Sequence, residues 1–139
     1  MHSSSQKSVK ASKHHNIHVF DLLNYRLPSS GWVSILHRVS GILLILSLPF
    51  LIALLLDKSL TSEVSYADFQ YWMYQPWVRL LLSVLLWAYL HHFCAGIRFL
   101  LLDTHIGVKK QSAKTSALWV LCISLTLTLL LCARLWGVF

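Results

Sequence analysis

The sequence predicts an all-α membrane protein built on three transmembrane helices. Three observations carry that expectation. Of 139 residues, 56% are hydrophobic and only 12% are charged, about half the ~25% charged share typical of a soluble domain. The apolar residues fall in three blocks, 39–56, 80–97 and 115–133, each free of Asp, Glu, Lys and Arg and each 18 or 19 residues long. That is close to the ~20 residues with which a helix crosses a bilayer, whereas a soluble bundle would show charges on an outer face at every turn. Finally, the segments between the blocks alternate in charge.

Lys7, Lys10, Lys13, Arg26 and Arg38 lie ahead of the first block. Between the first and second, Lys58 and Arg79 are balanced by Asp57, Glu63 and Asp68. Between the second and third, Arg98, Lys109, Lys110 and Lys114 face Asp103 alone. The positive-inside rule then puts the N-terminus and the second loop in the cytoplasm, and the first loop and the C-terminus outside, in an inner (cytoplasmic) membrane. The net charge of +7 follows this topology and does not point to nucleic acid. The first thirty residues show no early apolar core of the kind a signal peptide needs.

In chain order, residues 1–29 form a polar tail followed by an interfacial segment. Residues 1–15 are rich in Ser, Lys and His and are expected to be unstructured. Within 17–27, Val19, Phe20, Leu22, Leu23 and Leu27 share a helical face opposite Asp21 and Asn24, which suits a short helix lying in the interface. Pro28 and Ser29-Ser30 break that segment and offer an N-cap. The first span follows, over about 30–57. Its opening turns hold Trp32, Ser34, His37 and Arg38 and are expected at headgroup level, while Pro49 should kink the span without ending it. The loop from Asp57 to Arg79 carries Tyr66, Tyr71, Trp72, Tyr74 and Trp77, an outer aromatic belt with room for a short surface helix. The second span covers about 78–103 and the third about 113–136. In the third, Ser124, Thr126 and Thr128 can bond their own backbone or a neighbouring helix. Cys94, Cys122 and Cys132 form no C-x-x-C pair, which disfavours iron–sulfur or structural zinc sites, and they are expected as small buried hydrophobes.

Two polar clusters interrupt the apolar pattern. In the first, Ser34, His37, Arg38 and Gly41 fall on one helical face, because offsets of three, four and seven residues are neighbours. In the second, His92, Gly96 and Phe99 share a face, and His91 and Arg98 share the adjacent one. At a rise of 1.5 Å per residue, His92 lies about 9 Å deeper than Arg98. The small residues Gly41, Ala95 and Gly96 are expected to clear space for something bulky. A histidine in hydrocarbon needs a partner. Two readings stand on the residues alone: axial ligation of haem iron by the deep imidazole, or helix–helix hydrogen bonds with the arginines reaching out to phosphates. For haem, one histidine face supplies one axial ligand, so the other must come from elsewhere, most simply another subunit.

Taken together, Ser34-Ile-Leu-His37-Arg38-Val-Ser-Gly41 and His92-x-x-x-Gly96-Ile97-Arg98-x-Leu-x-x-Asp103 resemble the large cytochrome b membrane-anchor family of succinate dehydrogenase, respiratory complex II. The likeness covers the whole chain. It implies one part of a heteromeric helical bundle that clamps haem b together with a second, small three-helix anchor subunit. That partner would supply the other iron ligand. A flavoprotein subunit with FAD and an iron–sulfur subunit would oxidise succinate and pass electrons to ubiquinone, the substrate on the membrane side. By motif, His92 corresponds to the axial ligand and Ser34 and Arg38 to quinone-binding positions. His37, Arg38 and Arg98 correspond to positions near the haem propionates, and Asp103 to the motif's acid. His91 is an additional histidine beside the expected ligand. Phe99 stands where the family usually has a second histidine. The chain carries no G-x-G-x-x-G, so it has no flavin or succinate site of its own. Two other functions fit the same residues: an anchor of a fumarate reductase working with menaquinone, or a structural membrane-assembly subunit without haem.

Overall fold

A computed structural model of the chain describes residues 27–59 and 62–138. The expected tail and the interfacial segment at 17–27 lie outside the described residues, apart from Leu27. Four helices follow in order: α1 (Ser29–Ser59), α2 (Glu63–Tyr74), α3 (Pro76–Asp103) and α4 (Lys110–Leu135). Three of them, α1, α3 and α4, are long and apolar enough to cross a membrane. α1 begins at Ser29, directly after Pro28, and runs through Pro49 as one continuous helix.

The short α2 is the surface helix for which the aromatic loop has room. Ser62 caps it, its hydroxyl accepting from the Ser65 backbone N–H while the Ser62 N–H donates to the Ser65 hydroxyl. None of its residues is buried. Its aromatic side chains join those at the start of α3: Trp72 meets Trp77 edge-on at 5.8 Å, and the Arg79 guanidinium lies 5.0 Å from the Tyr74 ring centre. Gln75 alone separates α2 from α3, and Pro76 occupies the first turn of α3, where its missing N–H costs nothing.

α3 is the central helix. It packs against both α1 and α4, and α1 also touches α4. The connection 104–109 is short, so α3 and α4 run antiparallel. The core is thin and made of small residues, with Val33, Ala88, Ala95 and Ala117 fully buried and Ser40 and Ser124 beside them. Small side chains let helix backbones approach closely, which is how helices associate where lipid removes the hydrophobic drive. Large apolar side chains point outward instead, Phe50 at 76% and Ile45 at 70% exposure among them. The cysteines depart from expectation. Cys122 is exposed and Cys94 and Cys132 are only half-buried, because Ala, Ser, Val and Thr fill the narrow helix crossings.

Polar clamps fasten α3 to α4. Arg98 donates from Nε to the Ser116 hydroxyl at 3.0 Å and from Nη2 to the Ala113 carbonyl at 3.1 Å. At mid-depth, His91 Nδ1 lies 3.3 Å from the Ser124 hydroxyl. Near the far end, the Trp136 indole N–H donates to the Ser83 hydroxyl at 3.2 Å. Ser124 and Thr128 also bond their own helix, to the Leu121 and Ser124 carbonyls.

Candidate functional site

The site lies between α1 and α3, where the two polar faces meet. The His37 and His92 rings stack face to face, with centres 4.1 Å apart and planes within 7°. Each histidine is followed four residues later by glycine, and each ring rests over the other helix's glycine. A Cβ on Gly41 would stand 3.0 Å from His92 Cε1 and 3.3 Å from its Nδ1. A Cβ on Gly96 would have His37 Nε2 as its nearest neighbour, at 3.7 Å. The repeated His-x-x-x-Gly thus builds an approximately two-fold crossing of antiparallel helices, a relationship visible in the sequence once 37–41 is laid beside 92–96.

The hydrogen bonds break that symmetry. His92 Nδ1 lies 3.1 Å from the His37 carbonyl oxygen. A carbonyl only accepts, so Nδ1 carries the hydrogen and donates it. Nε2 then holds the free lone pair, the state in which an imidazole ligates a metal. The fully buried Ser40 donates its own hydroxyl hydrogen to the same carbonyl at 2.9 Å, and its oxygen stands 3.3 Å from His92 Nδ1. The His37 ring has no hydrogen-bond partner among the described residues.

Two sequence expectations are corrected here. His37 was expected at headgroup level, nearer the surface than His92, yet the two rings stack at one level, because the crossing of α1 with α3 sets them opposite each other. The small residues were expected to leave open space. Instead the His92 ring fills the gap over Gly41, His37 lies over Gly96, and Ala95 is sealed in the core with Val33 and Ala117. Close helix approach is what these small residues provide.

The two adjacent histidines face different ways, as a 100° step around a helix demands. His91 is fully buried towards α4, stacked 5.6 Å from Trp87, and its Nε2 has no partner. His92 is half-buried on the α1 side. Arg98 shares the His91 face. It is 6% exposed and its guanidinium is bonded to α4, 5.3 Å from the Phe99 ring centre, so it turns away from the His92 face. Arg38, in contrast, is exposed and makes no hydrogen bond or ion pair among the described residues. One turn away, Ser34 is half-buried, and its hydroxyl is likewise unpartnered among them. Phe99 packs on His37, with centres 5.1 Å apart and planes tilted by 59°, and supplies an apolar wall. Asp103 ends α3 and is exposed, and so is His105 just beyond it. Ser40 and Ser116 are the site-supporting residues that the sequence did not mark as partners, whereas Ser124, expected to bond its own backbone or a neighbouring helix, does both; the helix register brings each opposite a histidine or Arg98.

A family model and individual relatives point to the same family. The family model described as succinate dehydrogenase/fumarate reductase transmembrane subunit matches residues 13–131. The succinate dehydrogenase cytochrome b556 subunit of Coxiella burnetii is 30% identical over 116 residues, covering 84% of this chain and 93% of the relative. Its namesake in Paracoccus denitrificans is 30% identical over 107 residues, or 76% and 81% of the two chains. In Rickettsia felis the identity is 29% over 108 residues, 77% and 82% of the two chains. The chain belongs to the transmembrane-subunit family of succinate dehydrogenase and fumarate reductase.

Proposed function

We propose that this chain is the haem- and quinone-binding anchor of a succinate:quinone oxidoreductase, with His92 as its contribution to the iron. The observation that carries this is the committed Nδ1–H of His92. The His37 carbonyl holds that hydrogen, so Nε2 is available as a neutral donor on a half-buried ring that packs on α1. His91 fits the role less well: it is sealed against α4, and a macrocycle could reach its Nε2 only by parting the helices. The residues present therefore fit a b-type haem shared with a second chain, which supplies one-electron transfer when bound.

The remaining roles follow from side chains that are free to act. Ser34 and Arg38 lie on the His37 face of α1 and have no partner among the described residues. A hydroxyl and a guanidinium there hydrogen-bond a quinone carbonyl, orient it and stabilise negative charge during reduction. Ubiquinone takes up two electrons, delivered from the iron–sulfur subunit, and two protons from nearby water to become the quinol. His37 and Arg38 border the haem edge. Arg98 reaches that side only through its contact with the Phe99 ring, which packs on His37, since its own hydrogen bonds go to α4. Asp103 closes the same end of the bundle.

The end that carries Arg38, Arg98, Lys109, Lys110 and Lys114 faces the cytoplasm, and the end that carries α2 with Glu63 and Asp68 faces outward. On this reading the flavoprotein and iron–sulfur subunits dock at the basic end, in a cytoplasmic membrane. A small three-helix anchor covers the exposed apolar and histidine-bearing faces and supplies the second iron ligand.

The test is a b-type haem spectrum on the purified complete complex. His92→Ala abolishes the spectrum and His91→Ala preserves it. Loss with His91→Ala and retention with His92→Ala would overturn the assignment.

A further inference from the structure

Ser40 is fully buried and touches both histidine-bearing segments. We infer that Ser40 is the positioning residue that makes His92, rather than its near-symmetric counterpart His37, the metal-ready imidazole. This inference rests on the proposed function above and deepens it.

The asymmetry is written three residues after each histidine. On α1 that place is Ser40; on α3 it is Ala95; both are fully buried. Ser40 donates to the His37 carbonyl at 2.9 Å, as a serine in a helix commonly does to the turn before it. With its hydrogen committed there, the hydroxyl turns a lone pair towards His92 Nδ1 at 3.3 Å. His92 Nδ1 therefore meets two oxygens, the carbonyl at 3.1 Å and this hydroxyl, and both are acceptors. The ring is held in one tautomer and one rotation. Ala95 offers His37 no such group, and the His37 ring has no hydrogen-bond partner among the described residues. An outer partner that fixes the tautomer and orientation of a ligating histidine also tunes its basicity, and with it the metal's potential.

A second serine of α1 provides the control. The Ser47 hydroxyl makes the same three-residue back-bond, to the Leu44 carbonyl at 3.0 Å, but two turns farther along and away from the histidines. Loss of that bond perturbs the helix equally and leaves the imidazoles alone.

The experiment uses the complete complex carrying Ser40→Ala, Ser40→Cys or Ser47→Ala, and reads haem content, midpoint potential and the ferric low-spin EPR g-values. Ser40→Ala is expected to retain haem while moving both the potential and the g-values, because the ring loses one of its two acceptors and its fixed rotation. The near-isosteric Ser40→Cys keeps the packing and falls between wild type and Ser40→Ala, and Ser47→Ala matches wild type. The inference is overturned if Ser40→Ala and Ser40→Cys leave potential and g-values at the wild-type position, or if Ser47→Ala moves them as far. Failure of the underlying ligand assignment looks different: haem would then survive His92→Ala.

Discussion

Replacing Gly41 by alanine probes the tightest contact in the site. The added Cβ would stand 3.0 Å from His92 Cε1 and 3.3 Å from Nδ1, against the ~3.5–4.0 Å at which carbon atoms rest. One of the two must yield by a few tenths of an ångström. The imidazole has little freedom to do so. Its far face is stacked on His37 at 4.1 Å and its Nδ1 is tied to the His37 carbonyl. Relief requires parting α1 from α3 or breaking the hydrogen bond, and overpacking of this kind costs about 1–3 kcal/mol. Gly96→Ala is the matched comparison. Its Cβ meets only His37 Nε2, at 3.7 Å, an ordinary contact, and alanine in mid-helix gains about 0.5–1 kcal/mol over glycine. Thermal unfolding of the detergent-solubilised complex, with haem content measured alongside, should show Gly41→Ala lowering both the midpoint temperature and haem content. Gly96→Ala should hold stability at or above wild type. Equal behaviour of the two variants, or greater damage from Gly96→Ala, would refute the described crossing.

Two further substitutions test the clamps between α3 and α4. Ser124→Ala removes the partner of His91 Nδ1 and leaves both ring nitrogens buried and unpaired, so it should destabilise by about 1–3 kcal/mol; adding His91→Leu removes the orphaned polar group and should recover most of that loss in the same unfolding assay. Arg98→Lys keeps the charge but loses the fork that reaches the Ser116 hydroxyl and the Ala113 carbonyl together, so it should weaken the clamp by about 1 kcal/mol or more, seen as faster proteolysis in the 104–109 connection.

The spans were legible because the bilayer imposes a length and forbids charge, and both constraints are written residue by residue. The two faces of α3 were legible for a similar reason. A 100° step separates His91 from His92, and the seven-residue offset places Arg98 with His91. What the sequence did not carry was the register between helices. His37 could be placed along α1, but only the crossing with α3 puts it opposite His92 rather than at the surface. The glycines were recognised as gaps, yet whether a gap holds a ligand or a neighbouring ring depends on the same crossing. Ser40, Ser116 and Ser124 are ordinary serines by composition, and each matters here through a partner at least 18 residues away.

The thin core has a consequence for how the chain exists in a cell. Its fully buried residues are mostly small, and much of the large apolar surface of α1, α3 and α4 points outward. Lipid can cover those side chains and its phosphates can pair with Arg38, but hydrocarbon offers nothing to the Ser34 hydroxyl or to the open edge of the stacked histidines. Stability therefore enters through mass action, rising with the concentration of whatever binds the native bundle and not the unfolded chain. Copies made in excess of their partners lack that contribution and are the ones exposed to proteolysis, so the supply of partner subunits sets how much of this chain persists.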